Sequence, residues 1–500
     1  MQMVLQYAII AFLYISLMRI ERDKGLYILI NCILIWSTFE SIWGILQVLG
    51  FYRSSSHHSL VILGSFGNPG PYGALIATGV AMSVAFFFRL HGKETTVSER
   101  ITYYLSIITM VFGAIALPAS RSRAAWFGLF IALLSFFSRE TKLWHWLGKH
   151  RCFTAIAVVA ILFAGGGVFL MKKDSAIGRF HIWNMECRVI ASQPYTGVGF
   201  DKIFKAYGDI QSAYFQKTKR AVSIIRAAGS PTYAYNEYLK IGMAWGIGGL
   251  LLSIIVAVFV VWRLFQKKSV LSYGALVYAI FAFASFPLSV IQLKLLGSLF
   301  LAESLIFEKQ NRAGWFLAMH GIPCILCLLA GMFVYPREKE RRKAELIWRQ
   351  STYLQQEAYE LSIAQLKPLY PQLKDNYKYL FDYGYAQHKA SLYEESNAIL
   401  QQGAELSCDP IFHIIMAKNY FALGHFDTAE QELLTAHWLI PSRIYPLLLL
   451  MELYDDTGQT IDAINIGKQI KGMSVYERNP NMVTLYCKSM SLLNKLEEGK

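Results

Sequence analysis

Arginines in short polar segments are the residues of this chain best suited to chemistry. The segment "LPASRSRAAWFGLF" places Arg121 and Arg123 two residues apart between apolar stretches. The segment "IGRFHIWNMECRVIASQPYTGVGF" places Arg179, His181 and Arg188 between two long apolar runs. A guanidinium group is planar and permanently charged, and it donates parallel hydrogen bonds to phosphate oxygens. Both segments are therefore candidates for binding phosphate, although arginines at the edge of a bilayer also serve as anchors.

Two further segments combine turn residues with polar side chains before apolar helices. In "GSFGNPGPYGALIA", Asn68 precedes a Pro-Gly-Pro sequence that cannot continue a helix, so an irregular turn leads into the apolar run. In "SPTYAYNEYLKIGMAWGIGGLLL", Tyr235, Asn236 and Glu237 precede an apolar run whose glycines permit close helix packing. Each asparagine is either a plain helix cap or an amide that binds a ligand.

The composition is that of a membrane protein. The chain has 500 residues, of which 54% are hydrophobic and only 16% are charged. A membrane-spanning helix needs about 20 mostly apolar residues, and about ten such runs predict an all-α, polytopic protein. The candidates are 3–18, 25–50, 70–89, 101–118, 124–138, 153–171, 236–262, 270–288, 292–307 and 314–335. The first run has no cleavage site and is expected to be retained; the short run 292–307 is alternatively re-entrant.

The distribution of positive charge predicts the orientation of these helices. Lys and Arg are enriched in the cytoplasmic loops of membrane proteins. If the helices alternate from an outside start, one set of short loops contains fifteen Lys and Arg residues and the opposite set contains four. The first set is therefore predicted to be cytoplasmic, which places the four segments described above on the outer side.

The long loop 172–232 lies on the outer side in this topology. It contains ten Lys and Arg residues against four Asp and Glu residues, a net charge of +6. This charge would attract either lipid headgroups or an anionic substrate. Trp183 and Ile190 on one face, with Arg179 and Glu186 on another, predict an amphipathic helix along the membrane surface, ended by a turn at "SQPYTGVGF".

The cysteines predict neither a disulfide framework nor a metal site. The seven cysteines are scattered along the chain. Cys324 and Cys327 lie within the apolar run "GIPCILCLLAG", without a second pair or nearby histidines. We interpret them as small hydrophobic residues buried in the membrane.

From about residue 340 the sequence changes to charged, amphipathic segments with a period of 34 residues. Four positions of one unit recur in the next, as the pairs Ala417 and Met451, Tyr420 and Tyr454, Gly424 and Gly458, and Ala429 and Ala463. A weaker unit precedes them, and a capping helix is expected near 480–496. The pattern resembles tetratricopeptide repeats, which pack as pairs of helices. We therefore predict a membrane domain over 1–336 and an α-solenoid over 340–500.

The side of the membrane on which the repeats lie is less clearly marked. Ten spans place the tail outside, whereas the basic cluster "PREKERRKAE" is typical of a cytoplasmic segment, as a re-entrant 292–307 would require. We expect the tail to be outside. Such arrays bind peptides or proteins, or brace a neighbouring domain.

In chain order, the four polar segments resemble the O-antigen ligase and polymerase family, whose core is shared by the membrane oligosaccharyltransferases that glycosylate proteins. The matching features are the Asn-Pro turn, Ser-Arg before small residues, Gly-Arg-x-x-x-Trp before Pro-x-x-Gly-x-Gly, and Asn-x-x-Leu entering a glycine-containing helix. The resemblance covers roughly residues 25–306. It implies a GT-C-like membrane glycosyltransferase that takes a glycan from undecaprenyl pyrophosphate on the periplasmic side of the bacterial inner membrane, without a metal ion, a nucleotide sugar or another cofactor.

The resemblance also implies roles for residues of this chain. An acceptor hydroxyl would attack the anomeric carbon, and Arg123 and Arg179, which match the family's Ser-Arg and Gly-Arg, would stabilise the departing pyrophosphate. Glu237 or His181 would be the general base, unless the leaving group departs without one. The family commonly has a histidine where this chain has Tyr235, and a tyrosine with a pKa of about 10 is a poor base at neutral pH. The remaining candidate substrate-binding residues are Arg121, Arg188, Arg220, Arg226, Asn68, Tyr235 and Asn236.

Several functions stay open at this point. The acceptor could be the lipid A core (a ligase), another glycan repeat unit (a polymerase) or a protein hydroxyl (an oligosaccharyltransferase). A protein partner at the repeats, and contacts with membrane lipids, are expected; nucleic acid is not. A transporter or an assembly scaffold is a different class of function, and transporters usually place ionisable residues at mid-membrane. The mid-span positions here are nearly free of charge, which disfavours a transporter.

Overall fold

The fold is helical throughout the residues that the structure describes. The computed structural model describes residues 22–51, 62–141, 149, 173–217, 221–305, 322–351, 358–473 and 480–498, and these contain no β-strand. This finding confirms the all-α class. The positions of Arg220 and of the predicted spans 3–18 and 153–171 lie outside the described residues.

The helices are numbered in chain order. They are α1 (Arg22–Val48), α2 (Pro69–Leu90), α3 (Val97–Ser120), α4 (Arg123–Glu140), α5 (Lys173–Ser192), α6 (Ile203–Lys217), α7 (Val222–Ala227), α8 (Glu237–Gln266), α9 (Leu271–Phe283), α10 (Ile291–Leu305), α11 (Ile322–Ser351), α12 (Tyr359–Leu366), α13 (Tyr370–Leu373), α14 (Tyr377–Lys389), α15 (Tyr393–Ala404), α16 (Ile411–Ala422), α17 (Phe426–Leu439), α18 (Tyr445–Asp456), α19 (Thr460–Gly472) and α20 (Pro480–Glu498). Short 3₁₀ turns lie at Pro287–Ser289 and Lys367–Leu369.

Contacts along the chain divide it into two compact units. The membrane unit comprises 1–172, 233–241 and 248–334, and the repeat unit comprises 173–232, 242–247 and 335–500. Helix α11 contains both sides of the predicted boundary at 336–340. The division into domains over 1–336 and 340–500 stays a prediction, and the two units are described separately below.

Four helices in the described ranges are long and apolar enough to cross a bilayer: Leu26–Val48, Pro69–Leu90, Val97–Ser120 and Glu237–Gln266. They confirm the predicted spans at 25–50, 70–89, 101–118 and 236–262. The runs 124–138, 270–288 and 292–307 also contain helices, namely α4, α9 and α10. The total of ten spans stays a prediction.

Small and hydroxyl side chains bring the helices of the membrane unit close together. A Cβ atom added at Gly79 of α2 would clash with Ser37 of α1, and one added at Gly113 of α3 would clash with Val80. Thr38 and Thr109 share a hydrogen bond of 2.8 Å between α1 and α3. In lipid, such close packing and buried hydrogen bonds replace the hydrophobic effect as the force that joins helices.

Charged residues join helix ends at one end of the membrane unit. Arg89 at the end of α2 pairs with Glu140 at the end of α4 and donates to the carbonyl oxygen of Lys268. Lys267, after α8, pairs with Glu303 near the end of α10. We call this end, where Arg89, Glu140, Lys267, Lys268 and Glu303 lie, the basic end. Its loops are predicted to be cytoplasmic.

The repeat unit contains three consecutive helix pairs, α14 with α15, α16 with α17, and α18 with α19, followed by α20. Ala429 and Ala463, the small residues of the 34-residue period, are fully buried where the paired helices meet. Gly424 and Gly458 turn the chain between paired helices with φ of 78° and 74°. These helix pairs and the capping helix confirm the predicted α-solenoid of tetratricopeptide-like repeats.

The segment 173–232 belongs to the repeat unit. Helix α6 packs against α5 on one side and against α17 on the other. The predicted helix with Arg179 is thus present as α5, but Ile190 is buried within the unit and Trp183 is half-buried, because α6 and α7 pack on this helix. The side chains expected to lie along a membrane surface therefore contribute to protein packing.

A buried histidine makes the stability of the repeat unit depend on pH. Burial lowers the pKa of His437 in α17 from 6.5 to about 4. The unfolded chain therefore binds the proton more tightly, and folding stability falls as the pH falls from about 6.5 towards 4. We expect this histidine alone to account for up to about 3 kcal/mol of that loss.

Chemical unfolding of the purified protein between pH 7.5 and 4.5 tests this expectation. The stability of His437→Leu should fall less steeply over this range than that of the wild type. His425→Gln, which changes an exposed histidine in the preceding turn, should follow the wild-type curve. Parallel curves for wild type and His437→Leu would contradict the expectation.

Candidate functional site

Three of the four predicted segments meet at the end of the membrane unit opposite the basic end. We call this the motif end, formed by residues 62–70, 118–123, 233–240 and 284–294. The hydroxyl of Ser122 donates to the carbonyl oxygen of Gly70 over 3.4 Å. A Cβ atom added at Gly73 would lie 2.8 Å from the Ser122 Cβ. The start of α2 and the loop between α3 and α4 are therefore in direct contact.

The two arginines of the Ser-Arg segment have different backbone environments. Helix α3 ends at Arg121, whose φ of 50° lies in the left-handed region. Helix α4 then begins at Arg123, so this side chain emerges from a helix N-terminus. Arg123 is half-buried and Arg121 is exposed. A tight turn of two residues, Arg121 and Ser122, thus places both arginines at the motif end.

Asn68 caps helix α2. Its Oδ1 accepts from the amide nitrogen of Gly70 over 2.8 Å, so any contact with a ligand would come from its amide nitrogen, Nδ2. The turn before it is held by Glu40 of α1, whose carboxylate accepts from the amide nitrogen and hydroxyl of Ser65 over 2.9 and 2.5 Å. Sequence reasoning missed Glu40, although a carboxylate within an apolar helix is itself a signal.

Tyr235 lies in a strained turn before α8. Its φ of 53° is in the left-handed region, which costs a non-glycine residue about 1–2 kcal/mol. The Tyr233 ring stacks on Phe286 with centroids 4.0 Å apart, and the Tyr235 ring meets the same phenylalanine edge-on at 5.5 Å. Aromatic packing therefore holds the strained turn against the loop 284–290.

Asn236 and Glu237 both have structural partners. The Oδ1 of Asn236 accepts from the amide nitrogens of Tyr238 and Leu239, which caps α8. The Oε1 of Glu237 accepts from the amide nitrogen of Leu288 over 2.8 Å, and Oε2 lies 3.5 Å from the Lys240 Nζ. Glu237 is 3% exposed, so its carboxylate is bound within the protein.

Lys240, Ser289 and Lys294 are members of the site that sequence reasoning missed. The Nζ of Lys240 donates to the Ser289 hydroxyl over 3.0 Å. Lys294, in the first turn of α10, lies close enough to Glu237 and Lys240 to interact electrostatically with both. The spacing of Glu237 and Lys240, three residues apart at a helix start, was the available signal.

The motif end is electrostatically positive. Helices α2, α4, α8 and α10 begin there, and each N-terminus carries a partial positive charge of about half an electron. The C-termini of α3 and α9 lie at the same end and offset part of this charge. Among the site residues named above, two arginines and two lysines outnumber two carboxylates, those of Glu40 and Glu237. Helix N-termini with adjacent cationic side chains bind anions, phosphates above all.

The remaining predicted residues lie in the repeat unit. Arg179 in α5 is half-buried, and Arg188 is exposed, donating to the Asn184 Oδ1 over 2.8 Å while its guanidinium lies 5.1 Å from the centroid of the Tyr214 ring. Arg226 ends the short helix α7 and is exposed. These three arginines thus lie on two helices, α5 and α7, of the segment 173–232.

His181 joins α5 to α6. Its Nε2 lies 2.9 Å from the Oε1 of Gln211, and its ring packs beside Phe215. The histidine is 7% exposed, and burial lowers its pKa below the usual value, so the ring is neutral at neutral pH. Because Gln211 Oε1 can only accept, His181 Nε2 is the donor in this bond.

The glycines of the third and fourth segments pair with each other. The amide of Val198 donates to the carbonyl oxygen of Met243 over 2.8 Å, and that of Ile247 donates to Pro194 over 2.8 Å. Helix α8 is kinked at Gly246, with φ of 70° and ψ of −164°. A Cβ atom at Gly197 or Gly246 would clash with the facing backbone. Sequence reasoning missed this pairing and the kink.

In the described ranges, no group of three or more His, Cys, Asp or Glu side chains is placed to hold a metal ion. The donors gathered at the motif end are guanidinium and ammonium groups, which have no lone pairs for a metal. The site is therefore suited to an anion.

A comparison with protein families gives a match that overlaps these segments. Residues 108–254 match the family model described as O-antigen ligase. The matched range contains both arginine segments and residues 235–237, and Asn68 lies outside it. Over this range the chain is similar to O-antigen ligases, and the similarity supports a glycan-transfer function in the O-antigen ligase and polymerase class.

The other two comparisons add little. No match was found among the curated proteins. A solved structure described as "Crystal structure of MamA protein" is similar at 15% identity over 32% of this chain and 88% of that chain. Its TM-score of 0.26 is too low to support a conclusion about the fold.

The pair of Glu237 and Lys240 yields a stability prediction. Replacing one member of a buried ion pair leaves an uncompensated charge and costs about 3–5 kcal/mol, whereas replacing both is nearly neutral. We expect Glu237→Gln and Lys240→Met each to lower the unfolding temperature of the purified protein. The double variant should recover at least half of the larger loss, and Ser289→Ala should cost only about 1 kcal/mol. Additive losses in the double variant would show that the two side chains act independently.

Proposed function

We propose that this protein transfers a glycan from undecaprenyl pyrophosphate to an acceptor hydroxyl on the periplasmic side of the bacterial inner membrane, as an O-antigen ligase does. The observation that supports this most is the motif end itself. Four helix N-termini and four cationic side chains gather there, with two carboxylates, those of Glu40 and Glu237. The O-antigen ligase family match includes Arg121, Arg123 and Lys240 of this set.

Stabilisation of the leaving group is the main catalytic task in this proposal. As the bond between the anomeric carbon and the pyrophosphate breaks, negative charge builds on the departing oxygen. Arg123 donates to that diphosphate from a helix N-terminus. The resemblance to the family's Gly-Arg assigns Arg179 the same kind of role. Arg121, Arg188, Arg220 and Arg226 attract and orient the lipid-linked donor. Asn68, Tyr235 and Asn236 are assigned to binding the sugar.

The proposed reaction depends less on a general base than on stabilisation of the leaving group. Glu237 is bound to Leu288 and Lys240, and His181 is bound to Gln211, so the carboxylate and the ring each already have a structural partner. We assign both residues to positioning: Glu237 holds the loop 284–290, and His181 joins α5 to α6. The acceptor hydroxyl then loses its proton late, after the sugar has become electrophilic. Tyr235, at the position of the family's histidine, orients that hydroxyl.

A protein acceptor is the second candidate. It is favoured by the tetratricopeptide-like repeats, because such arrays commonly hold extended polypeptides. The lipid A core and a growing glycan remain as the acceptors of a ligase and of a polymerase. Profiling lipopolysaccharide and periplasmic glycoproteins in a deletion strain separates the three, since each acceptor loses its glycan in a different fraction.

The role of Arg123 can be tested by substitution. We expect Arg123→Ala to lower the rate of glycan transfer from an undecaprenyl-pyrophosphate-linked donor by at least 100-fold, as removal of one transition-state donor does. Arg123→Lys should recover only part of the rate, because an ammonium group cannot donate bidentately. Arg179→Ala should behave like Arg123→Ala.

Arg139→Ala is the matched control, since it removes an arginine from the basic end of the same helix, where the guanidinium lies 4.6 Å from the Phe265 ring centroid. It should transfer glycan at close to the wild-type rate. If Arg123→Ala and Arg179→Ala retained transfer at normal protein levels, neither guanidinium group would have the catalytic role proposed here.

A further inference from the structure

Helix α6 joins the loop 173–232 to the tetratricopeptide-like repeats through one continuous face. Its buried residues recur with helical spacing, at Ile203, Tyr207, Gly208, Gln211, Ser212 and Phe215. At Gly208 the helix backbone approaches the repeats so closely that an added Cβ would lie 2.7 Å from the Cys408 Cβ and 3.0 Å from Leu439. Close backbone approach over a whole helix face is the packing of a permanent contact within one folded unit.

Gln211 forms a buried hydrogen-bonded centre in this contact. Its Oε1 accepts from the Tyr207 hydroxyl and from His181, both over 2.9 Å. Its Nε2 donates to the carbonyl oxygens of Leu439 and Gly229, over 2.6 and 3.1 Å. The residue is 1% exposed, and all four hydrogen-bonding positions of its amide are used.

These bonds connect three parts of the chain. His181 lies on α5, two residues from Arg179, and Gly229 follows α7 with Arg226. Leu439 is the last residue of α17, where the final carbonyl groups of a helix lack partners within it. The carbonyl oxygen of Leu439, from the repeats, thus accepts a hydrogen bond from the Gln211 side-chain amide. The same amide is bound to His181 of α5 and to Gly229 after α7. Lys205 adds ion pairs to Asp209 and, over 3.8 Å, to Glu405.

This packing bears on the sidedness of the repeats. The loop 173–232 lies between the long apolar runs 153–171 and 236–262, on the side that the charge distribution predicts to be outside. A repeat array packed on that loop through buried hydrogen bonds must lie on the same side of the membrane.

Helix α10 gives independent support for the same sidedness. Lys294 at its start is near Lys240 at the motif end, and Glu303 near its other terminus pairs with Lys267 at the basic end. The helix therefore runs from one end of the membrane unit to the other and does not turn back. By its length and composition alone, the following apolar run 314–335 is a further candidate span.

We propose that the tetratricopeptide-like repeats lie on the outer side of the membrane and bind the loop helix α6 of their own chain, so that they hold Arg179 and its neighbours in position. The partner of this repeat surface is thus the arginine-bearing loop itself. The positioning role rests on the proposed function, whereas the packing and the sidedness do not.

Sidedness is tested by fusing alkaline phosphatase, which is active only outside the cytoplasm, or green fluorescent protein after Glu498. We expect high phosphatase activity and no fluorescence. If the green fluorescent protein fusion were fluorescent and the alkaline phosphatase fusion inactive, the repeats would lie in the cytoplasm. This result would overturn the proposal.

The packing of α6 is tested by a disulfide bond to Cys408. In a protein whose other cysteines are serine, Gly208→Cys should cross-link to Cys408 in intact cells, where the compartment is oxidising. The added Cβ would lie 2.7 Å from that of Cys408, so a local shift of about 1 Å gives the separation of a disulfide bond. A protease site inserted at 352–357 makes the cross-link visible, since cleaved halves stay joined until they are reduced. Gly178→Cys, whose added Cβ would have no neighbour within 4 Å, is the control and should not cross-link. Absence of the Gly208→Cys bond, even with added oxidant, would overturn the packing.

The positioning role is tested with Gln211→Leu and the matched variant Gln216→Leu, which makes the same change at an exposed position of α6. The probe is undecaprenyl pyrophosphate binding to the purified protein. We expect Gln211→Leu to weaken binding about tenfold and Gln216→Leu to leave it unchanged. Equal binding by both variants would remove the positioning role. Failure of the wild type to bind, with the disulfide still forming, would instead overturn the proposed function alone.

Discussion

A bilayer tolerates charge only where water or another charge can meet it, and this constraint organises the membrane unit. Its helices are joined along their lengths by glycine and hydroxyl contacts such as Gly79 with Ser37. Their ionisable groups are gathered at the two ends, where Arg89, Glu140, Lys267 and Glu303 pair at the basic end. At the motif end, four cationic side chains outnumber the carboxylates of Glu40 and Glu237. In the proposed function, an anionic ligand complements this charge.

The spacing of the motifs predicted much of this arrangement. The apolar runs gave the spans that the described ranges contain, and the 34-residue period gave the helix pairs with Ala429 and Ala463 buried between them. The Asn-Pro, Ser-Arg and Asn-x-x-Leu segments were expected on one side, and they do meet in the membrane unit. Local patterns suffice here because caps and turns are determined by neighbouring residues.

Contacts distant in sequence were not predictable. Glu237 looked like a candidate base, and only the fold reveals that Leu288 and Lys240 bind its carboxylate. The sequence suggested that the loop 173–232 lies on a surface, because its contacts with the repeats are distant in the chain. Leu439, which accepts from Gln211 of this loop, lies more than two hundred residues away. The helical kink at Gly246 depends likewise on the facing Pro194. A sequence period shows which face of a helix is apolar, but it does not show what covers that face.

In the proposed function, Tyr235 stands where the family commonly has a histidine, which fits a reaction that depends mainly on stabilisation of the leaving group. A diphosphate departs as a stable anion, so two or more guanidinium groups lower the barrier without any proton transfer to it. The attacking hydroxyl becomes strongly acidic once it has bonded to an anomeric carbon that bears positive charge, and water or the departing phosphate can then take its proton. A tyrosine in such a site orients the hydroxyl by hydrogen bonding and does not need to ionise. The left-handed backbone of Tyr235, held by Phe286, gives that orientation a fixed direction.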